Sequence, residues 1–160
     1  MVRTSQRYVP LALFILAAVL LGARILRQTT KSDSATTDLV RWTTPKEGLR
    51  LAAQSGKPIL FDFTAEWCGP CHMLDAEVFR NGAIAREINE RFIPVRVLDR
   101  QREEGRNAPE VDELQRKYNV RGFPTVVFAD AATAERARIE GFRGRAEFER
   151  VMRSTGERVR

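Results

Sequence analysis

A chain of 160 residues has room for one domain of ordinary size and a terminal appendage, and an apolar share of 43% is enough for a packed core. The formal charge of +6 is split evenly, +3 over residues 1–40 and +3 over residues 41–160, so the globular part is nearly balanced and the composition argues against a nucleic-acid partner. Both cysteines, Cys68 and Cys71, fall in one motif, which excludes a structural disulfide framework and leaves the compartment to decide whether the pair rests as dithiol or disulfide.

Residues 1–8 form a short basic segment containing Arg3 and Arg7. Val9 to Ala23 then runs without a charge. As a helix, Val9–Leu26 would be about 27 Å long, barely enough to span a bilayer core, with Arg24 snorkelling to the interface. The run has no polar face, which argues against a buried soluble helix. A cleaved signal needs a small-x-small site, but Leu21-Gly22-Ala23 begins with leucine, and Ile15 and Leu16 spoil the positions before Ala17 and Ala18. Residues 9–26 are therefore predicted to be an uncleaved transmembrane signal anchor.

The basic residues on the two sides, Arg3 and Arg7 against Arg24, Arg27 and Lys31, do not decide its orientation. The order of basic segment and apolar run favours an exported body. The expected location is the inner membrane, single-pass, with the domain facing the periplasm. Secretion to the periplasm after signal cleavage is the alternative. Residues 27–38, rich in Thr, Ser and Asp, read as a flexible linker, and the domain is expected over residues 39–160.

Thr44-Pro45-Lys46-Glu47 has the form of a capping box with proline at the first helical position, predicting a helix to Ser55 that Gly56 stops. Trp42 just before it is expected to pack at a core edge. Pro58–Thr64 is short, apolar and rich in β-formers, as in a strand covered on both faces. After the cysteine motif, Met73 to Phe79 continues without a breaker to Asn81-Gly82, so Cys71 is expected in the first turn of a helix. Asn81 caps a further one with Ile84, Ile88 and Phe92 at spacings of four.

Phe92–Leu98 is a second buried strand, and Arg100–Asn107 reads as a charged loop. Pro109 opens a helix with Val111, Leu114 and Tyr118 on one face. Thr125–Phe128 and Ala137–Gly141 look like a hairpin, and Arg145–Thr155 is a terminal amphipathic helix with Phe148, Val151 and Met152 inward. This alternation predicts an α/β fold with a mixed central sheet flanked by helices, its chemistry beyond the carboxyl end of a central strand.

Cys68 falls at the helix start, where unpaired N–H groups and the macrodipole stabilise a thiolate, and is expected to be the nucleophile. Cys71, one turn inward and expected to be more buried, would resolve the mixed disulfide. Pro70 limits backbone freedom between them, and Gly69 lets another chain approach. Asp62 is an acid in an apolar strand; buried there it keeps its proton or has a partner, and it could accept the proton from Cys71. The alternative is an Asp62 facing solvent at a sheet edge.

Two other chemistries fit the same letters. Cys68-x-x-Cys71-His72 spells a c-type haem attachment site, with Met73 or Met152 as a second axial ligand, and two thiolates would also suit a copper(I) carrier. Zinc would need two more ligands than the motif supplies, and no metal site is assigned.

The run Asp62-Phe63-x-Ala65-Glu66-Trp67-Cys68-Gly69-Pro70-Cys71 resembles the active-site strand and motif of the thioredoxin family, and Val120-Arg121-Gly122-Phe123-Pro124-Thr125 resembles its second signature. The resemblance covers Leu39 to Arg153 and implies a thioredoxin fold with a redox-active Cys68–Cys71 disulfide and no other cofactor. It further implies a cis Pro124 beside that disulfide, substrate contacts through Trp67, Gly69, Pro70, Phe123 and Pro124, and disulfide-bearing protein substrates. The Arg100–Asn107 insertion, the continuation through Glu77-Val78-Phe79 and the membrane-linked amino terminus look more like the C-terminal domain of bacterial thiol:disulfide interchange proteins, or anchored reductants serving cytochrome maturation, than like cytosolic thioredoxin. Gly-Pro between the cysteines resembles reducing members. An exported reductase would need a membrane thiol electron donor. His72 stands where many members have lysine.

Overall fold

A computed structural model describes residues 39–156. The predicted anchor at Val9–Leu26 lies outside them, and among the described residues no helix is long and apolar enough to cross a membrane.

The first helix, α1 (Pro45–Ser55), begins and ends as its sequence dictates. Thr44 accepts from the Glu47 N–H, Pro45 sits where no N–H is needed, and Gly56 closes the helix with φ +70° and an N–H donated to the Ala52 carbonyl. The Glu47 carboxylate turns to Arg50 at 2.6 Å rather than back to the cap. Strand β1 (Ile59–Ala65) follows, then α2 (Gly69–Leu74).

In place of one uninterrupted helix, α2 runs into a π-helical turn, Asp75–Phe79, closed by the Arg80 N–H on the Asp75 carbonyl at 2.9 Å. The wider turn lets the adjacent Val78 and Phe79 both reach the core. Helix α3 (Gly82–Arg91) is capped by Asn81, whose side chain accepts from Ala83 and Ile84. Strand β2 (Ile93–Asp99) leads into Gln101–Glu104, the short helix α4, where the sequence suggested only loop. Gly105, at φ +71°, ends it. Helix α5 (Pro109–Lys117), strands β3 (Thr125–Ala129) and β4 (Glu135–Glu140) and helix α6 (Arg145–Gly156) complete the order.

The sheet order is β2-β1-β3-β4, with β1 parallel to β2 and antiparallel to β3. β1 is therefore internal, which rules out the sheet-edge position considered for Asp62. Strand alternation sends Ile59, Phe61 and Phe63 into a core with Val95, Val97, Leu114 and Tyr118, and Leu60 into the opposite core with Phe79, Phe128, Phe148 and Met152. Each such side chain contributes about 1.5–3 kcal/mol of apolar burial.

Gly48 marks where α1 lies against β2. A Cβ there would run into the Val95 side chain and reach Thr43 Oγ1 at 2.7 Å. Gly48→Ala is expected to lose about 1–3 kcal/mol through overpacking, read as a lower urea midpoint at unchanged slope. An unchanged midpoint would show that the helix can shift at no cost.

Candidate active site

β1 ends at Ala65, and two residues later the chain turns into α2 with Cys68 as its N-cap. The Cys71 N–H points at Cys68 Sγ from 3.2 Å, and the His72 N–H reaches the Cys68 carbonyl at 3.3 Å. The first of these donors stabilises negative charge on the Cys68 sulfur. Cys68 and Cys71 are joined as a disulfide, packed against Ala65 and Phe123.

The expectation that Cys71 is the more buried of the two is corrected: Cys68 is 2% exposed and Cys71 7%. The reason is what each faces. Cys71 opens on a hollow of about 230 Å³ that it lines with Asp62, Thr64, Ala65, Glu66, His72, Asp75, Arg96 and Leu98. Trp67, 49% exposed, and Phe123 flank the other side in an edge-on pair with centroids 6.0 Å apart.

Pro124 follows a cis peptide bond. The β1–β3 ladder stops at Thr125, so the main chain of Phe123 lies outside the sheet's pairing. Gly69 and Pro70 are exposed in the turn between the cysteines, and no atom lies within 4 Å of a Cβ built on Gly69. All the residues predicted from sequence, Asp62, Trp67, Cys68, Gly69, Pro70, Cys71, Phe123 and Pro124, thus belong to one end of the sheet. Met152 does not; it is fully buried in the core beside Phe148. Met73 is exposed.

Asp62 is 2% exposed, on the face of β1 covered by α2 and the π turn. Its cross-strand neighbour in register is Arg96, whose Nε donates to Asp62 Oδ2 at 3.2 Å while Nη2 donates to Asp75 Oδ1 at 2.7 Å. The guanidinium stacks 4.2 Å over the Trp42 ring. One arginine thus bridges two carboxylates beside the hollow onto which Cys71 opens, and Trp42 and Phe79 fix its plane.

Arg96 and Asp75 were not singled out from sequence, although a lone arginine in Val95-Arg96-Val97, in a strand parallel to one carrying a lone aspartate, is a readable signal. Asp75 sits one helical turn beyond Cys71, a spacing that places both on one face. Glu66 was also missed. Its carbonyl accepts from His72 Nε2 at 2.8 Å, and its carboxylate holds Arg100 at 3.0 Å.

The cysteine pair at the end of a central strand, packed against the residue that precedes a cis proline, agrees with comparison to known proteins. Residues 45–156 match the family described as a thioredoxin-like domain. The chain belongs to the thioredoxin-like family. Among its thioredoxin-like relatives is the thiol:disulfide interchange protein DsbD of Yersinia pestis (strain Pestoides F), 28% identical over 152 residues that cover 89% of this chain and 24% of that protein. The chain thus spans about a quarter of that relative's length. A thioredoxin from Thermus thermophilus superposes with a TM-score of 0.60 at 33% identity, over 72% of this chain and 85% of the other. The oxidised C-terminal domain of DsbD from Neisseria meningitidis, at 23% identity, shares the fold with a TM-score of 0.53 over 69% of this chain and 91% of that domain.

Proposed function

We propose that this protein is a protein-disulfide reductase acting by thiol–disulfide exchange through Cys68 and Cys71, on an exported domain tethered to the inner membrane by Val9–Leu26. The observation that carries the reading is the pair itself: Cys68 caps a helix beyond the central strand, is bonded to Cys71, and packs with it against Phe123, the residue before the cis bond to Pro124. Membership of the thioredoxin-like family and the names of the DsbD relatives support it.

In the reducing direction the Cys68 thiolate attacks one sulfur of a substrate disulfide. The second substrate sulfur leaves as a thiolate, and a mixed disulfide remains. Cys71 gives up its proton, for which Asp62 is the acceptor, and attacks Cys68 Sγ. The substrate departs as a dithiol carrying two electrons, and the Cys68–Cys71 disulfide reforms. A dithiol donor of the membrane must then reduce that disulfide for the next turnover. Trp67, Gly69, Pro70, Phe123 and Pro124 form the face the substrate meets, with the Phe123 main chain available to pair with an extended segment.

Insulin reduction supplied with dithiothreitol tests the activity. The reduced full-length protein is expected to bring precipitation of the insulin B chain forward severalfold, and Cys68→Ser is expected to match dithiothreitol alone. Equal rates with and without the wild-type protein would end the proposal. An export-dependent reporter fused after Lys31 tests the location: activity only when the fusion is retained in the cytosol would reverse the topology.

A further inference from the structure

The surface around Cys68 has an apolar centre and a cationic rim. Trp67 and Met73, at 49% and 53% exposed, are two of the three large apolar side chains most open to solvent among the described residues. Over Trp67 lies Arg102, its guanidinium carbon 5.4 Å from the ring centroid. Across the Trp67–Phe123 pair, Arg121 lines a hollow of about 270 Å³ with Gly122, Phe123, Pro124, Glu140 and Gly141. Arg143 follows two residues after Gly141, whose N–H donates to the Pro124 carbonyl at 2.8 Å.

Arg102, Arg121 and Arg143 are exposed, and among the described residues none is in an ion pair. The nearby carboxylates are largely engaged: Arg100 holds Glu66 at 3.0 Å and Glu104 at 3.7 Å, and Arg138 holds Glu140 at 2.9 Å. Arg138 also holds Glu135, at 2.7 Å, and Glu103, exposed in the insertion, pairs with no cation among the described residues, so Arg102, Arg121 and Arg143 are the guanidinium groups here without a carboxylate among those residues.

The insertion that carries Arg102 is fastened in place. Asp99 accepts from the Gln101 N–H at 3.1 Å and from the side-chain amides of Asn107 and Gln115, each at 2.8 Å. Asn107 in turn accepts from the Arg100 N–H at 2.6 Å. Arg100 and Arg102 then reach Glu66 and Trp67, the two residues immediately before Cys68. A rim held this way loses little freedom on meeting a partner.

We propose that this rim selects protein partners whose attacked cysteine is flanked by acidic side chains. The inference rests on the thiol–disulfide exchange reading above. A partner carboxylate passing over Trp67 meets Arg102 in a charge-assisted contact, and one beyond the cis proline meets Arg121. A lysine at either place meets like charge, which slows encounter.

The test uses the reduced full-length protein in neutral detergent and three peptides of one length. Each carries a single cysteine as a mixed disulfide with 2-mercaptoethanol, flanked on both sides by Glu, Ser or Lys. At roughly 20 mM salt the Glu peptide is expected to react about tenfold faster than the Lys peptide, and at about 0.5 M salt the ratio is expected to fall to about two. Arg102→Glu combined with Arg121→Glu is expected to bring the low-salt ratio to one or below, and the milder Arg102→Gln to lower it about threefold. Arg86→Glu alters an exposed arginine on α3, away from this face, and is expected to leave the ratio where it was.

Equal rates for the Glu and Lys peptides, or an Arg86→Glu effect as large as that of Arg102→Glu, would overturn the rim as the selector. In both cases a reactive Ser peptide leaves the exchange chemistry standing. If none of the three peptides reacts, the exchange reading falls and the selectivity falls with it.

Discussion

Cys71→Ser protein, reduced and mixed with a disulfide-bearing substrate, is expected to hold that substrate as a mixed disulfide on Cys68, whereas Cys68→Ser forms no adduct and loses on the order of a thousandfold or more in turnover. The asymmetry follows from what surrounds each sulfur. Cys68 Sγ receives the Cys71 N–H at 3.2 Å, at the start of a helix whose free donors favour an anion. It also packs against Phe123, whose ring pairs edge-on with that of the exposed Trp67. Cys71 opens instead on the hollow lined by Asp62, Asp75 and Arg96, away from that surface. Non-reducing gels and mass spectrometry of the trapped species read the result. An adduct on Cys71 in the Cys68→Ser protein would exchange the two roles.

The second large effect concerns the carboxylates that Arg96 bridges. Asp62→Asn is expected to slow resolution of the mixed disulfide about a hundredfold near neutral pH, the scale on which a positioned proton acceptor acts, while leaving its formation within about twofold. Quenched-flow alkylation separates the two steps. A resolution rate equal to that of the wild type would remove Asp62 from the mechanism.

Arg96→Leu acts on the same network through stability. Asp62 is 2% exposed, and Arg96 reaches both it and Asp75. Taking one partner from a buried charged pair costs about 3–5 kcal/mol, so the domain is expected to melt at least about 10 °C lower. If Asp62→Asn in the Arg96→Leu background restored none of the lost stability, the loss would lie in the stacking on Trp42 rather than in the ion pair.

Much of this site is legible in the sequence. Cys68, Cys71 and the helix beginning between them follow from a spacing and from an N-cap that acts within four residues. Asp62 stood out because a carboxylate in an apolar strand demands an explanation. The start of α1 at Pro45 and the cap of α3 at Asn81 are likewise short-range, since a side chain there satisfies N–H groups two or three positions on.

Two local expectations failed for physical reasons. The Asp75–Phe79 turn widens because the core takes both Val78 and Phe79, a tertiary demand that 3.6-residue periodicity does not express. The Arg100–Asn107 segment has no apolar pattern, so nothing in its sequence reveals the side-chain network from Asp99, Asn107 and Gln115 that orders it.

The run from Asp62 to Cys71 therefore determined by itself which groups are brought together: two thiols, a helix start and an acid in the preceding strand, all connected through nearby backbone. What stands around those residues was decided only by the tertiary structure. Arg96 meets Asp62 because β1 and β2 pair in the register that sets them opposite, and Arg102 meets Trp67 because the short helix α4, 35 residues further along the chain, folds back towards the end of β1. Contacts of that kind depend on the register of strands and the path of loops, which residues distant in sequence set jointly and no local pattern records.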